Sequence, residues 1–216
     1  MRLRFARAED GDRLAEIYRP AVAERATSFE LAPPTGADMA GRVTRTLART
    51  PWLVAEAAEA PHGVLGYAYA SAHKDRAAYQ WSVDVSTYVD PSAHRGGVGR
   101  ALYTTLFEIL RLQGFVNAYA GITLPNPASE GFHRAMGFEP VGVYRRVGYK
   151  LGDWHDVAWL SLALAEHGAD PRPPRPLPEV RKEAEALLAS AATAPARDKR
   201  VRGPAGGAQA PSTPRS

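Results

Sequence analysis

The residues Ser82-Val83-Asp84-Val85-Ser86-Thr87-Tyr88-Val89, His94-Arg95-Gly96-Gly97-Val98-Gly99-Arg100 and Ala101-Leu102-Tyr103-Thr104-Thr105-Leu106-Phe107-Glu108-Ile109-Leu110 decide how this chain is read. The first run has strand character, and the last carries leucines and aromatics at helical spacing. A strand that turns through glycines into a helix leaves several backbone N–H groups unpaired. Together with the positive end of the helix dipole they form a site for a phosphate or pyrophosphate. Gly96, Gly97 and Gly99 let that backbone come close to a ligand, and His94, Arg95 and Arg100 add positive charge. A glycine turn that only joins two elements is the other reading, and the glycines alone do not separate the two. The spacing is neither the dinucleotide fingerprint nor a phosphate loop ending in Lys-Ser/Thr.

Side chains alternate along the strand, so Ser82, Asp84, Ser86 and Tyr88 share one face while Val83, Val85, Thr87 and Val89 share the other. A polar stripe with a carboxylate, just before an anion-binding turn, suits an active site in which Asp84 accepts a proton. The same stripe also suits a solvent-facing side of a half-buried strand. Lys74 and Arg76 stand two apart with Tyr79 and Trp81 close by. They read either as a clamp for a carboxylate or phosphinate or as a charged hairpin tip. His133 is alone among hydrophobic residues, the setting of a structural histidine. No His/Asp/Glu set has metal-ligand spacing, and no Ser-His-Asp set appears.

Working outward, residues 2–5 read as a first strand, and Asp10 caps a helix with Leu14, Ile17, Tyr18 and Val22 on its buried stripe. Thr35 and Asp38 form a capping-box pair before a second helix with Met39, Val43 and Leu47. Two strands, 52–56 and 64–72, join through a turn at Ala60-Pro61-His62-Gly63, and a longer strand covers 79–89. The helix after the glycine turn runs to about Gln113 and stops at Gly114. A strand at 116–123, a short helix at 128–136 and strands at 141–149 and 156–164 complete the order β-α-α-β-β-β-α-β-α-β-β. This is an α/β class domain, a mixed sheet flanked by helices. All four tryptophans, Trp52, Trp81, Trp154 and Trp159, are expected in the core. The domain is expected over 1–168. Residues 169–216 read as a Pro/Ala/Arg-rich linker and a largely disordered tail, since 171–178 holds five prolines. Within it, 179–192 has room for a helix with Val180, Ala184, Leu187 and Leu188 on one side.

Composition narrows the function. The chain has 216 residues and no cysteine, which removes disulfides, thiolate metal sites and a cysteine nucleophile. Lys and Arg total 27 against 23 Asp and Glu, a net charge of +4. From Pro171 onward nine basic and four acidic residues give +5, so the rest of the chain stands at −1. The basicity belongs to the tail, and nucleic-acid binding by the folded part is not expected. The basic start at Met1-Arg2-Leu3-Arg4 has no apolar run behind it, and no segment approaches a membrane span, so a cytoplasmic protein is expected.

The stretch from strand through His94-Arg95-Gly96-Gly97-Val98-Gly99-Arg100 to helix resembles the acetyl-CoA site of the GNAT superfamily of N-acetyltransferases. There a glutamine or arginine, two residues, Gly, one residue and Gly/Ala cradle the pyrophosphate; here those places are His94, Gly97 and Gly99. Further phrases are similar to the phosphinothricin and methionine-sulfoximine/sulfone acetyltransferase branch. They include Pro51-Trp52-Leu53-Val54-Ala55-Glu56, Gly66-Tyr67-Ala68-Tyr69-Ala70, Lys74-Asp75-Arg76-Ala77-Ala78-Tyr79-Gln80-Trp81 and Gly121-Ile122-Thr123-Leu124-Pro125-Asn126.

The resemblance implies a GNAT fold, acetyl-CoA as co-substrate, no metal, a small amino-acid-like acceptor and a homodimer. It implies that Asp84 is the general base where the branch usually has a glutamate, so that a bridging water offsets one missing methylene. It implies that Lys74 and Arg76 surround the acceptor with Tyr79, Phe29 and Ser86. Thr87, Tyr88 and Val89 lend backbone to the pantetheine arm, Arg95, Gly96, Val98 and Arg100 complete the pyrophosphate cradle, and Asn126 bonds the cofactor. His133 stands where other members carry a tyrosine, to protonate or stabilise the departing thiolate. The competing expectations are another amine acceptor, a non-catalytic acetyl-CoA-binding module, and a nucleic-acid-associated protein working through the tail.

Overall fold

Strand β2 (Trp52–Glu56) is apolar on both faces because it divides two cores: Leu53 and Ala55 face one, Trp52 and Val54 the other. The computed structural model describes residues 1–57 and 63–193. Around β2 the chain adds β1 (Arg2–Phe5), α1 (Gly11–Ala23), α2 (Gly36–Leu47), β3 (Val64–Ala72), β4 (Ser82–Val89), α3 (Val98–Gln113), β5 (Asn117–Thr123), α4 (Pro127–Ala135), β6 (Glu139–Lys150), β7 (Asp153–Ala163) and α5 (Arg181–Thr193). The mixed α/β order read from sequence therefore stands, and α5 extends it. The turn expected at 60–63 lies largely outside the described residues, as does all of 194–216.

The seven strands form one sheet in the order β1-β2-β3-β4-β5-β7-β6. All neighbours are antiparallel except β4 and β5, which are parallel because α3 carries the chain back across the sheet. α3 buries Leu102, Tyr103, Leu106, Ile109 and Leu110 against one face. α1 and α2 bury Leu14, Ile17, Met39 and Val43 on the other. The Thr35–Asp38 capping box forms, with Asp38 N–H donating to Thr35 Oγ1 at 3.1 Å and Thr35 N–H to Asp38 Oδ2 at 2.9 Å. Among the described residues no helix is long and apolar enough to cross a membrane.

Four sequence expectations change. Asp10 stands at the start of α1 but does not cap it, because its carboxylate accepts both Arg4 guanidinium nitrogens at 2.8 Å. β4 begins at Ser82, since Ala77–Tyr79 forms a 3₁₀ turn. Of the four tryptophans only Trp52 is deeply buried; Trp81 and Trp159 are half-buried, and Trp154 lies exposed beside Tyr149 on the β6–β7 hairpin.

The fourth change concerns the boundary at 168. Through Thr193 the chain stays on the domain: Leu177, Val180 and Ala184 are fully buried in the α3-side core. Arg181 covers the Phe5 ring at 3.9 Å. The Pro-rich approach is tied down by the carbonyls of the arginines between its prolines: Trp81 Nε1 donates to Arg172 O, and Gln113 Nε2 to Arg175 O, both at 2.8 Å. Composition suggested a loose linker, whereas the spacing of four apolar residues closes a core.

Candidate active site

β4 and β5 pair only through Ser82, Val83 and Asp84 against Asn117, Ala118 and Tyr119. Beyond these three rungs the strands part, and residues 85–89 and 120–123 become the walls of a cleft of about 280 Å³. Parallel strands that separate expose backbone N–H and C=O groups that a continuous ladder would have used, so a ligand laid along the fork finds hydrogen-bonding partners. Asp84 and Tyr119 are the last pair before the fork opens.

At the open end, β4 runs into the glycine turn. Asp90 accepts Ser92 Oγ–H at 2.5 Å, Ser92 N–H at 2.8 Å and Arg13 Nη2 at 2.5 Å; these bonds, led by the Ser92 hydroxyl, hold its carboxyl down to about 2. The chain then passes through left-handed backbone at Arg95 (φ 63°) and Gly97 (φ 78°). A Cβ on Gly97 would meet nothing, so glycine is needed there for its dihedral and not for space. The first bond of α3 runs from Ala101 N–H to Gly97 O at 3.0 Å, which leaves the N–H groups of Val98, Gly99 and Arg100 at the helix mouth. Arg95 and Arg100 are exposed and, among the described residues, form no ion pair. His94 differs from Arg95 and Arg100: its Nε2 reaches Val89 O at 3.0 Å, so the ring clamps the turn. Gly96 lies within the turn, where its N–H reaches Ala93 O at 3.4 Å.

The side chains of the cleft-lining strand are mostly occupied by the fold. Thr87 Oγ1 donates to Tyr67 O at 3.1 Å, Tyr88 packs edge-on to Tyr18 with centroids 4.7 Å apart, and Val89 packs against the core. What these three residues offer a ligand is backbone. Ser86 lines the cleft opposite Tyr69 of β3.

The far wall comes from β5 and α4. Asn126 caps α4 by accepting Ser129 N–H on its Oδ1 at 3.2 Å, and among the described residues its Nδ2 has no partner. His133, one turn past Ser129, is buried with both ring nitrogens engaged. Nδ1 lies 2.8 Å from Ser129 O, so it carries the proton, and Nε2 accepts from Tyr103 Oη at 3.2 Å. Burial pushes the His133 pKa down, which keeps the ring neutral.

At the closed end, Asp84 Oδ1 lies 2.6 Å from His73 Nδ1. Burial raises the Asp84 pKa, and the bond from His73 works against that rise. The acceptor residues expected from sequence are not all gathered here. Lys74, Arg76 and Tyr79 line a second cavity of about 350 Å³ together with Arg49, Gln80 and Ser82. Asp84 sits on β4 between Ser82 and Val83, which line that cavity, and residues 85–89, which line the cleft. Phe29 lines neither. It packs on Gly148, where a Cβ would collide with its ring, and lies 6.3 Å from the His155 ring. Among the described residues no group of three His, Asp or Glu is placed to hold a metal ion.

Sequence reading missed His73 and Tyr103. The hairpin register held a signal for His73. With Ser71 opposite Asp84, the residue two further on falls on the same face, diagonal to the carboxylate. Tyr103 read as one more apolar position of α3, and only the fold turns its hydroxyl toward His133.

Residues 3–159 match the family description "Acetyltransferase (GNAT) domain". The phosphinothricin N-acetyltransferase of Streptomyces viridochromogenes is 37% identical over 179 residues, 82% of this chain and 95% of its own length. The L-methionine sulfoximine/L-methionine sulfone acetyltransferase of Salmonella typhimurium is 34% identical, covering 78% and 98%. Among solved structures, a GNAT superfamily phosphinothricin acetyltransferase from Sinorhizobium meliloti in complex with AcCoA superimposes with a TM-score of 0.73. It is 37% identical and covers 79% of this chain and 92% of its own. The forked sheet, the helix mouth beside it and these matches agree with one another: the chain belongs to the GNAT family of acetyltransferases.

Proposed function

We propose that this protein transfers the acetyl group of acetyl-CoA to the α-amino group of a small amino-acid-like acceptor of the phosphinothricin, methionine sulfoximine or methionine sulfone type. The observation that carries the reading is the place of Asp84 along β4: it lines neither space itself, but Val85 to Val89 after it line the cleft that ends in a helix mouth, and Ser82 and Val83 before it edge the cavity of Lys74, Arg76 and Arg49. Acetyl-CoA, when bound, would supply the acetyl thioester.

The residues present suit that group. The N–H groups of Val98, Gly99 and Arg100 and the left-handed turn at Gly97 form an anion cradle, with Arg95 and Arg100 beside it. The strand edge of residues 87–89 offers backbone to an extended amide-bearing arm, and Asn126 lines the same cleft from the start of α4. Lys74 and Arg76 hold the acceptor's carboxylate or phosphinate, with Tyr79 as a wall and Ser86 on the cleft side. Asp84 takes the proton from the α-ammonium, directly or through one water; the freed amine attacks the acetyl carbon, the C–S bond breaks, and the proton the nitrogen then sheds goes to the departing thiolate. A β4 backbone N–H past Asp84 polarises the carbonyl oxygen. His133, neutral and bonded at both nitrogens, stabilises the departing thiolate by polarity and by fixing Tyr103 and the α4 mouth; it has no free proton to give. Phe29 packs on Gly148 of β6 and takes no part in holding the acceptor.

We also propose a homodimer. The hairpin leaves Val141, Tyr144, Val147 and Tyr149 on β6, the strand that ends the sheet, and Trp154 on the neighbouring β7 at least half exposed, a patch that a second copy would cover.

The test is to mix the protein with acetyl-CoA and follow free thiol with phosphinothricin, methionine sulfoximine, methionine sulfone, a polyamine and an aminoglycoside. Turnover confined to the first three supports the reading. Cofactor binding without turnover favours an acetyl-CoA-binding module in its place.

A further inference from the structure

His73 follows the last residue of β3, and its ring is held on three sides. It lies nearly parallel to Tyr119, with centroids 4.4 Å apart and planes at 21°, and edge-on to Trp159 at 5.9 Å and Tyr79 at 6.0 Å. Tyr119 is the β5 partner of Asp84 at the closed end of the fork. The stack sets the plane of the imidazole, and that plane brings Nδ1 to within 2.6 Å of Asp84 Oδ1. Among the described residues Asp84 Oδ2 accepts no hydrogen bond. An aspartate carboxylate turns freely about its last bond unless something holds it; here one oxygen is held and the other is free to work.

We propose that His73 is a positioning residue for the general base: its Nδ1–H, fixed by the stack on Tyr119, pins Asp84 Oδ1 and presents Oδ2 to the acceptor's ammonium group. The proposal rests on the reading of Asp84 as the base. The contact also favours the ionised carboxylate, opposing burial, and Lys74 from the same loop acts in the same direction. Tyr69 from β3, Tyr79 from the 3₁₀ turn and Tyr119 from β5 face the pair as well, and burial pushes the Tyr69 hydroxyl pKa up.

The test compares the wild type with H73F, H73N and D84N. Phenylalanine keeps the stack and removes the N–H, while asparagine returns an N–H near the place of Nδ1. Carboxylate NMR on protein carrying ¹³C-labelled aspartate identifies Asp84 as the resonance lost in D84N and follows its titration without any turnover. In parallel, kcat/KM is measured against pH with phosphinothricin and with methionine sulfone.

In H73F the Asp84 midpoint is expected to rise by about one pH unit, the scale of one lost charge-assisted bond. The acid limb of kcat/KM should rise with it, because activity disappears as pH falls through that midpoint. The KM for acetyl-CoA should not move, and H73N should recover most of the shift. If D84N loses turnover while H73F leaves midpoint and acid limb in place, this inference is overturned and the base assignment stands. If D84N keeps full turnover at neutral pH, the base assignment falls and this inference falls with it.

Discussion

The two ends of β4 are built in opposite ways. At its C-terminal end, recognition is local. Val89, the turn at Arg95 and Gly97 and the first amides of α3 are contiguous in the chain, and backbone does most of the work. At its N-terminal end, recognition is assembled. Asp84 meets His73 from the end of β3 and Tyr119 from β5, while Arg49, from the segment after α2, joins Lys74 and Arg76 around the second cavity. A phosphate can be held by any well-placed N–H, so a short loop suffices. An amino acid must be held by charge and shape at several points at once, and that takes side chains from separate strands.

Breaking the assembled end is expected to cost most. Asp84→Asn should lower kcat by about 10²–10⁴-fold, the usual worth of a positioned base, with acetyl-CoA binding by calorimetry unchanged. Gly97→Val breaks the local end. A β-branched side chain in left-handed backbone is strained by about 1–3 kcal/mol, so the KM for acetyl-CoA should rise about tenfold or more with the acceptor KM little altered. Arg76→Ala should do the reverse, raising the acceptor KM about tenfold or more at nearly constant acetyl-CoA KM. His133→Phe should lower kcat by less than about tenfold and leave the pH profile in place, since a neutral ring bonded at both nitrogens does not titrate in the reaction. A sharp loss with a new basic limb would return His133 to the part of proton donor.

The same contrast explains how much of the molecule was legible in the sequence. The glycine turn and the order of elements could be read because they depend on neighbours: periodicity, caps and glycines act over a few residues. The resemblance of linked phrases pointed to the family, and the family match agrees with it. What sequence did not yield was everything decided by packing between distant segments. Trp154 is exposed because it stands at the hairpin end of β7, paired with Tyr149 of the edge strand β6, which composition cannot show. Phe29 is drawn to Gly148, 119 positions away, and not to the cleft. His73 becomes a partner of Asp84 only once the β3–β4 register is known.

α5 gives the same lesson from the other side. Five prolines in 171–178 suggested a loose linker, yet Leu177, Val180 and Ala184 complete the core over α3. Leu177→Ala should lower stability to urea by about 2–5 kcal/mol, the ordinary cost of a buried leucine, while both KM values hold. A loss under 0.5 kcal/mol would mean that α5 adds little to the domain.

The most direct test of the central claim is a crystal structure with CoA and phosphinothricin bound together. The account expects the diphosphate on the amides of Val98, Gly99 and Arg100, and the acceptor nitrogen within hydrogen-bond reach of Asp84 Oδ2 or one water from it. It also expects the acceptor's carboxylate or phosphinate on Lys74 or Arg76. Acceptor density elsewhere in the fork, with Asp84 bonded only to His73, would contradict it.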